Sequence, residues 1–307
     1  RTRHAEAFQK LADSIESEYG LANCGIQASD LGSIDTFRFE ERAMLKHCGE
    51  RIAGSDYEAV AKLVTVHSQS FWARHDLSRR QAQWEVCALL AALGIEVERV
   101  EGELKKNGLT AKGMFDRYVA GEGWHRLDWA HRRLECRISQ MEEEPENDHA
   151  IAMLRARVEE VLKAMAVKFG KALAASGWSI AGALHQTQVW PQKVAPQPGR
   201  VACFFVDALR FEMGTDLLRQ ISEAADAEIT PALTVLPSIT PLGMAALLPG
   251  ASASYSVVEH QGKVGAKIGN QILTDVNERM KHLKAQVPDA VEITLERLLQ
   301  DSPAKVS

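Results

Sequence analysis

The 307-residue chain lacks any run of about 18 apolar residues, so a membrane-spanning helix is not expected. It does not open with a basic segment, an apolar segment and a cleavage site, so no signal peptide is read. It begins at Arg1, and we take it for an excerpt of a longer protein. An excess of positive charge is also missing. Its 36 Lys and Arg stand against 41 Asp and Glu, a net charge of -5. That argues against a generally basic surface that coats nucleic acid. No CxxC pair occurs. Cys24, Cys48, Cys87, Cys136 and Cys203 are odd in number and widely spaced. They read as scattered reduced thiols of a cytosolic protein rather than a zinc site or disulfide framework.

What is present is an ordinary soluble composition, 46% hydrophobic and 25% charged, with enough length for two domains. A proline-rich joint divides it. Trp190–Gly199 holds three of the ten prolines and reads as neither helix nor central strand. The expected organisation is a helical domain over 1–190, a linker over 191–199 and an α/β domain over 200–307. Residues 1–200 carry 27 basic and 28 acidic side chains and residues 201–307 carry 9 and 13, so neither part is a basic module.

Before the joint the apolar residues recur at helical spacing. Helices are expected over Arg1–Tyr19, Thr36–Ile52, from Ser55 through Trp72, from about Ser78, from about Thr110, over Trp124–Met141 and over His149–Ala175. Ser55-Asp-Tyr-Glu58 has the form of a capping box. Asn23–Ile34 reads as a loop. No fixed repeat period is found. The six tryptophans are read as packing residues rather than a stacking platform. Arg79-Arg80 and Arg132-Arg133 are read as solvated faces. His125, Asp128 and His131 are too irregularly spaced for a helical metal site.

After the joint the pattern changes. Val201–Val206 is apolar without alternation, as expected of a parallel strand covered on both faces. Phe211–Ala225 reads as a helix and Ala227–Leu236 as a second strand. Thr240 reads as an N-cap, Pro241 as the first helical residue and Leu242–Leu248 as the helix. This β-α-β-α order predicts a mostly parallel sheet with ligands at the carboxyl ends of its strands. Asp207 and the Pro237–Thr240 loop belong at that edge. Gly262–Gly269 reads as a mobile loop or hairpin; it lacks the Gly-Lys-Ser/Thr ending of a phosphate-binding loop. Gln271–Ala285 and Ala290–Gln300 read as helical.

A carboxylate and a hydroxyl at one sheet edge suit metal-assisted phosphoryl transfer. Phosphate esters repel anionic nucleophiles. Divalent cations remove that obstacle and lower the pKa of a bound hydroxyl. Asp207 would hold a metal, and Thr240 would attack phosphorus. Bland roles remain open for each, since an acid after a strand can cap the next helix and Thr-Pro is a common helix start.

Val206-Asp-Ala-Leu-Arg-Phe-Glu212 and Leu236-Pro-Ser-Ile-Thr-Pro-Leu-Gly-Met-Ala-Ala-Leu-Leu-Pro249 together resemble PglZ, the phosphatase-like component of BREX bacteriophage-defence systems, in the alkaline phosphatase superfamily. The resemblance runs from about Arg200 to the end. It implies an N-terminal helical domain followed by the first part of an alkaline-phosphatase-like α/β domain. It makes Asp207 the first metal aspartate and Thr240 the metal-bound nucleophile, with Arg210, Glu212 and Ser238 in support. Nucleotide phosphodiesterases of the superfamily carry their threonine in a similar turn. The family's later acid and its Asp-His-Gly do not occur here. His260 and His282 stand in other contexts, and Asp148-His149 precedes the domain. The resemblance thus implies a parent phosphatase or phosphodiesterase using Zn or Mn, with no tight metal binding and no activity in this part alone. It further implies a bacterial cytoplasmic protein, away from membranes. Its partners would be other BREX components, the DNA methyltransferase among them, and a phosphate ester or nucleic acid as substrate. A non-catalytic scaffold of the defence complex is the alternative.

Overall fold

The computed structural model describes residues 4–32, 34–75 and 79–300, without the side chain of Arg79. It combines an all-helical part with a mixed α/β part that holds a small parallel sheet. Two compact units divide the chain, residues 1–180 and 181–307.

The first unit contains α1 (Ala5–Tyr19), α2 (Ala28–Leu31), α3 (Arg38–Ala53), α4 (Tyr57–His67), α5 (Phe71–His75), α6 (Arg79–Leu104), α7 (Ala111–Val119), α8 (His125–Ser139) and α9 (Asp148–Ala175). Helix α6 is the hub, packing against α3, α4, α5, α8 and α9. Its Trp84, Val86, Cys87, Leu90, Leu93, Val97 and Val100 are all buried. These positions cover a broad face, wider than one stripe, and leave Gln81, Ala92 and Glu98 exposed. The buried carboxylate of Glu41 is matched. Glu41 accepts hydrogen bonds from Trp84 Nε1 at 2.8 Å and Ser70 Oγ at 3.1 Å. Two glycines permit close approach. A Cβ on Gly94 would lie 2.3 Å from the Tyr57 ring, and one on Gly49 would lie 2.2 Å from Asn147 Oδ1.

Several local expectations need correction here. Ser55 does not cap. It has φ 61°, Asp56 occupies the N-cap of α4, and no side-chain cap bond is made there. The helix from Ser55 does not reach Trp72, because Ser70 interrupts it and its Oγ accepts from Ala73 N–H at 3.1 Å, starting α5. The expected start at Ser78 lies outside the described residues. Trp72, Trp84 and Trp124 are buried, whereas Trp178 is exposed. Arg80 pairs with Glu146, and Arg133 stacks over Trp129 at 4.7 Å.

The second unit contains β1 (Leu184–His185), α10 (Phe211–Ile221), β2 (Ala232–Leu233), α11 (Thr240–Ala246), α12 (Ala251–Ser254), β3 (Tyr255–His260), β4 (Lys263–Ile268), β5 (Gln271–Leu273), α13 (Val276–Gln286) and α14 (Leu295–Gln300). Strands β1 and β2 pair in parallel. Strands β3, β4 and β5 form an antiparallel sheet. Gln261 (φ 52°) and Gly262 (φ 74°) close the β3–β4 hairpin, a two-residue turn of the twist such hairpins favour. The core gathers α11, α12, β4, β5 and α13 around Leu242, Ala245, Ala246, Ala266 and Leu273. Trp190–Val194, expected as irregular chain, makes a π-helical turn.

Val201–Val206 is not a strand in this structure. It has no ladder partner among the described residues, and all six residues are exposed, Phe204 at 65%. Ala227–Leu236 contracts to the two residues of β2. A strand cannot satisfy its own backbone, so its apolar pattern becomes a strand only where neighbours supply the hydrogen bonds. Gln271–Leu273 is strand rather than helix, since it pairs with β4.

Candidate active site

Strand β1 runs beside β2, and their carboxyl ends are joined by one side chain. Gln186 Oε1 accepts from Thr234 Oγ1 at 3.0 Å and from Val235 N–H at 3.2 Å. A Cβ on Gly243, in α11, would lie 3.5 Å from Gln186 Nε2, so this amide also abuts that helix. Beyond β2 the chain passes a cis Leu236–Pro237 bond and reaches Ile239, whose extended backbone caps α11. Thr240 is thus the first helical residue rather than the cap. Leu242, Ala245 and Ala246, all fully buried, anchor α11 in the core. Tyr255 adds a bond from its hydroxyl to Leu242 O at 3.2 Å. Burial raises the pKa of that phenol to about 12, so it remains a donor.

Asp207 follows the extended run 201–206 in a tight turn. Ala208 has φ 53°, and its N–H donates to Asp207 Oδ1 at 3.0 Å. Across 33 positions of sequence, Thr240 Oγ1 donates to the same carboxylate, at 3.2 Å from Oδ1 and 3.1 Å from Oδ2. Both side chains are exposed, so a substrate can reach them. Arg210 caps α10 and pairs through Nη2 with Glu212 Oε1 at 2.7 Å. Glu212 is wholly buried. Ser238 is exposed, and no hydrogen bond joins it to Asp207 or Thr240 among the described residues.

The pair has definite chemical limits. A carboxylate is far too weak a base to ionise an alcohol by itself. It can orient the hydroxyl, and its oxygens with Oγ1 form a set of hard donors suited to a divalent cation. A closed zinc site takes about four donors. Among the described residues no cluster of three or more His, Cys, Asp or Glu could hold a metal. Asp207 and Thr240 therefore fit part of a metal site. His260 and His282 do not join them: His282 is buried between Gln271 Oε1 and Pro249 O, tying α13 to β5 and to the segment between α11 and α12.

Gln186 and Ala208 were absent from the sequence-based site. A lone glutamine carries no pattern, and its role arises only once β1 pairs with β2. The left-handed turn at Ala208 has no glycine or asparagine to announce it.

No helix of the described residues is long and apolar enough to cross a membrane. Residues 184–303 match the family model of the BREX system PglZ alkaline phosphatase-like domain. The alkaline phosphatase-like protein PglZ of Bacillus cereus (strain H3081.97) is 28% identical over 267 residues, 81% of this chain and 30% of that protein. The alkaline phosphatase-like protein BrxZ of Escherichia coli O9:H4 (strain HS) is 42% identical over 85 residues, 25% of this chain and 10% of that protein. The chain thus spans less than a third of the length of either relative. No solved structure matches it. The first likeness is too long to fit within the second unit, so it extends into the helical one. A family model laid over 184–303, and a relative that resembles four-fifths of the chain, make this chain similar to BREX alkaline phosphatase-like proteins, with the likeness to the PglZ domain carried by the second unit.

Proposed function

We propose that the chain contributes the nucleophile and one metal-ligating carboxylate to a phosphatase or phosphodiesterase of a BREX anti-phage system. The observation that carries this reading is the pair of hydrogen bonds from Thr240 Oγ1 to Asp207. In this reading the Thr240 oxygen attacks phosphorus, forms a covalent phosphothreonine and expels the ester oxygen; water then releases phosphate. Asp207 orients the hydroxyl and, with it, would hold a Zn²⁺ or Mn²⁺ ion, which when bound would make the alcohol more acidic. Activated phosphate esters, nucleotides and nucleic acid are the proposed substrate classes. The proposed setting is the bacterial cytoplasm, alongside other BREX components including the DNA methyltransferase.

A second reading is a non-catalytic scaffold of the same defence complex. An assay of the intact protein with Mn²⁺ or Zn²⁺ on an activated phosphomonoester and phosphodiester separates the two. Thr240→Ala and Asp207→Ala are each expected to abolish turnover while the melting temperature stays near that of the parent. Full turnover in folded Thr240→Ala protein would remove the nucleophile assignment. An inert parent, with phage defence untouched by both changes, would favour the scaffold.

A further inference from the structure

The acidic side chains of this chain stop at Glu160 and do not return until Asp207. Residues 161–206 carry five Lys and Arg and no Asp or Glu, in a protein of net charge -5. Three of those cations, Lys163, Lys168 and Lys171, lie on the C-terminal half of α9. All three are exposed, and none has an ion-pair partner among the described residues. At 3.6 residues per turn they share an arc of about 140° and span about 12 Å of the helix axis, with Ala164 and Val167 exposed between them. Leu162, Met165 and Phe169, on the other side of the helix, pack against the core. Beyond the helix end comes a tryptophan that does not pack. Trp178 is 64% exposed, whereas Trp72, Trp84 and Trp124 are each 1% exposed. Its backbone is held in place: φ is 61°, and its N–H donates to Leu173 O, in the last turn of α9, at 2.9 Å. The end of the lysine row thus presents a large indole to water, forgoing the burial that the other three tryptophans gain.

We propose that the C-terminal half of α9 and Trp178 form a binding surface for single-stranded nucleic acid. Lys163, Lys168 and Lys171 meet backbone phosphates as point charges, and a base stacks on the Trp178 indole. Charge complementarity selects a polyanion, and the exposed ring selects among polyanions. A duplex keeps its base faces stacked inside, and an acidic peptide or an anionic membrane answers the lysines without needing a base-stacking ring. Neither a lysine nor an aromatic face distinguishes one base from another, so the binding is sequence-tolerant. The surface lies within the first unit and does not rest on the phosphoryl-transfer reading.

The test follows the fluorescence anisotropy of a labelled oligothymidylate of about 12 nucleotides as the 307-residue chain is added. The expected result is saturable binding that weakens as salt rises. Lys163→Gln, Lys168→Gln and Lys171→Gln together should lower the slope of log affinity against log salt by about 2, since each phosphate contact on a single strand contributes about 0.7. Trp178→Ala should weaken binding about tenfold and leave that slope unchanged, because stacking releases no counterions. Trp178→Phe keeps an aromatic face and should keep most of the affinity. All these positions are exposed, so melting temperatures should match that of the unaltered chain. Thr240→Ala should bind the oligonucleotide as the unaltered chain does, which reads this surface apart from the nucleophile assignment. Absence of binding overturns the proposal, as does affinity unchanged by the lysine triple variant or by Trp178→Ala. A duplex of the same length bound as tightly as the single strand overturns it too, because stacking would then play no part. Anionic phospholipid vesicles or polyglutamate that compete as well as the unlabelled oligonucleotide would overturn it by assigning the face to a membrane or an acidic protein.

Discussion

In helix α6 of the first unit an apolar pattern and a buried side chain largely coincide; in the stretch 200–234 of the second they part company. Leu90, Leu93 and Val97 of α6 are fully buried, whereas Val201, Phe204, Phe205 and Val206 are exposed. Helix α10 shows the same split: Glu212 is buried while Leu217 and Ile221 are exposed. A helix closes its own hydrogen bonds and needs only one neighbour along its stripe. A strand apolar on both faces needs neighbours on both edges and cover on both faces. Residues 201–206 have the composition of such a strand without its surroundings.

The sharpest way to break this comparison is to remove apolar volume from each side of it. Trp84→Ala should cost about 3–5 kcal/mol, through the cavity and through the donor that Glu41 loses. The loss should appear in urea denaturation followed by circular dichroism; a change under 1 kcal/mol would mean that α6 is not the hub. Gly94→Ala should cost about 1–3 kcal/mol by overpacking, because the Tyr57 ring has no room to retreat. Tyr57 is buried, and its hydroxyl accepts from Arg157 Nη1 at 2.7 Å. Unchanged stability in Gly94→Ala would show that α4 can slide on α6.

His67 offers a pH test of the same core. Burial lowers its pKa, and its ring stacks on Trp84 with centroids 5.6 Å apart. The folded form holds the ring neutral, whereas the unfolded chain protonates it near pH 6.5. Its contribution is therefore present above about pH 6.5 and is lost as pH falls toward the lowered folded pKa. Melting temperatures of the parent should drop over that window more steeply than those of His67→Gln; parallel curves would dismiss the group. The smallest effect belongs to the other region. Phe204→Ser should stay within about 0.5 kcal/mol of the parent. A loss of several kcal/mol there would show that 201–206 is packed.

Legibility in the sequence follows the same divide. The periodicity locates α3, α6, α8 and α9 because helical hydrogen bonds are local. The break between α4 and α5 escapes it, since a capping role for Ser70 shows only when its oxygen finds Ala73 N–H. The strands escape because pairing is decided by distant residues, as when Ala266 lines up with both Val257 and Leu273. At the candidate site, Asp207 and Thr240 stand out by residue type and setting, and the fold brings them within hydrogen-bonding distance. The full burial of Glu212 does not show in its sequence neighbours, which read as the polar start of a helix.

The backbone at Ala208 sets which sequences can carry this turn. A left-handed conformation costs an ordinary L-residue roughly 1–2 kcal/mol, and alanine accepts that cost with little side-chain bulk. Glycine would relieve it, and asparagine or aspartate would tolerate it. Valine, isoleucine or threonine would push the turn back toward an extended path and swing the Asp207 carboxylate away from Thr240. Position 208 therefore acts as a filter on sequence drift, admitting small or locally hydrogen-bonding residues and rejecting β-branched ones, even though its side chain takes no part in the chemistry.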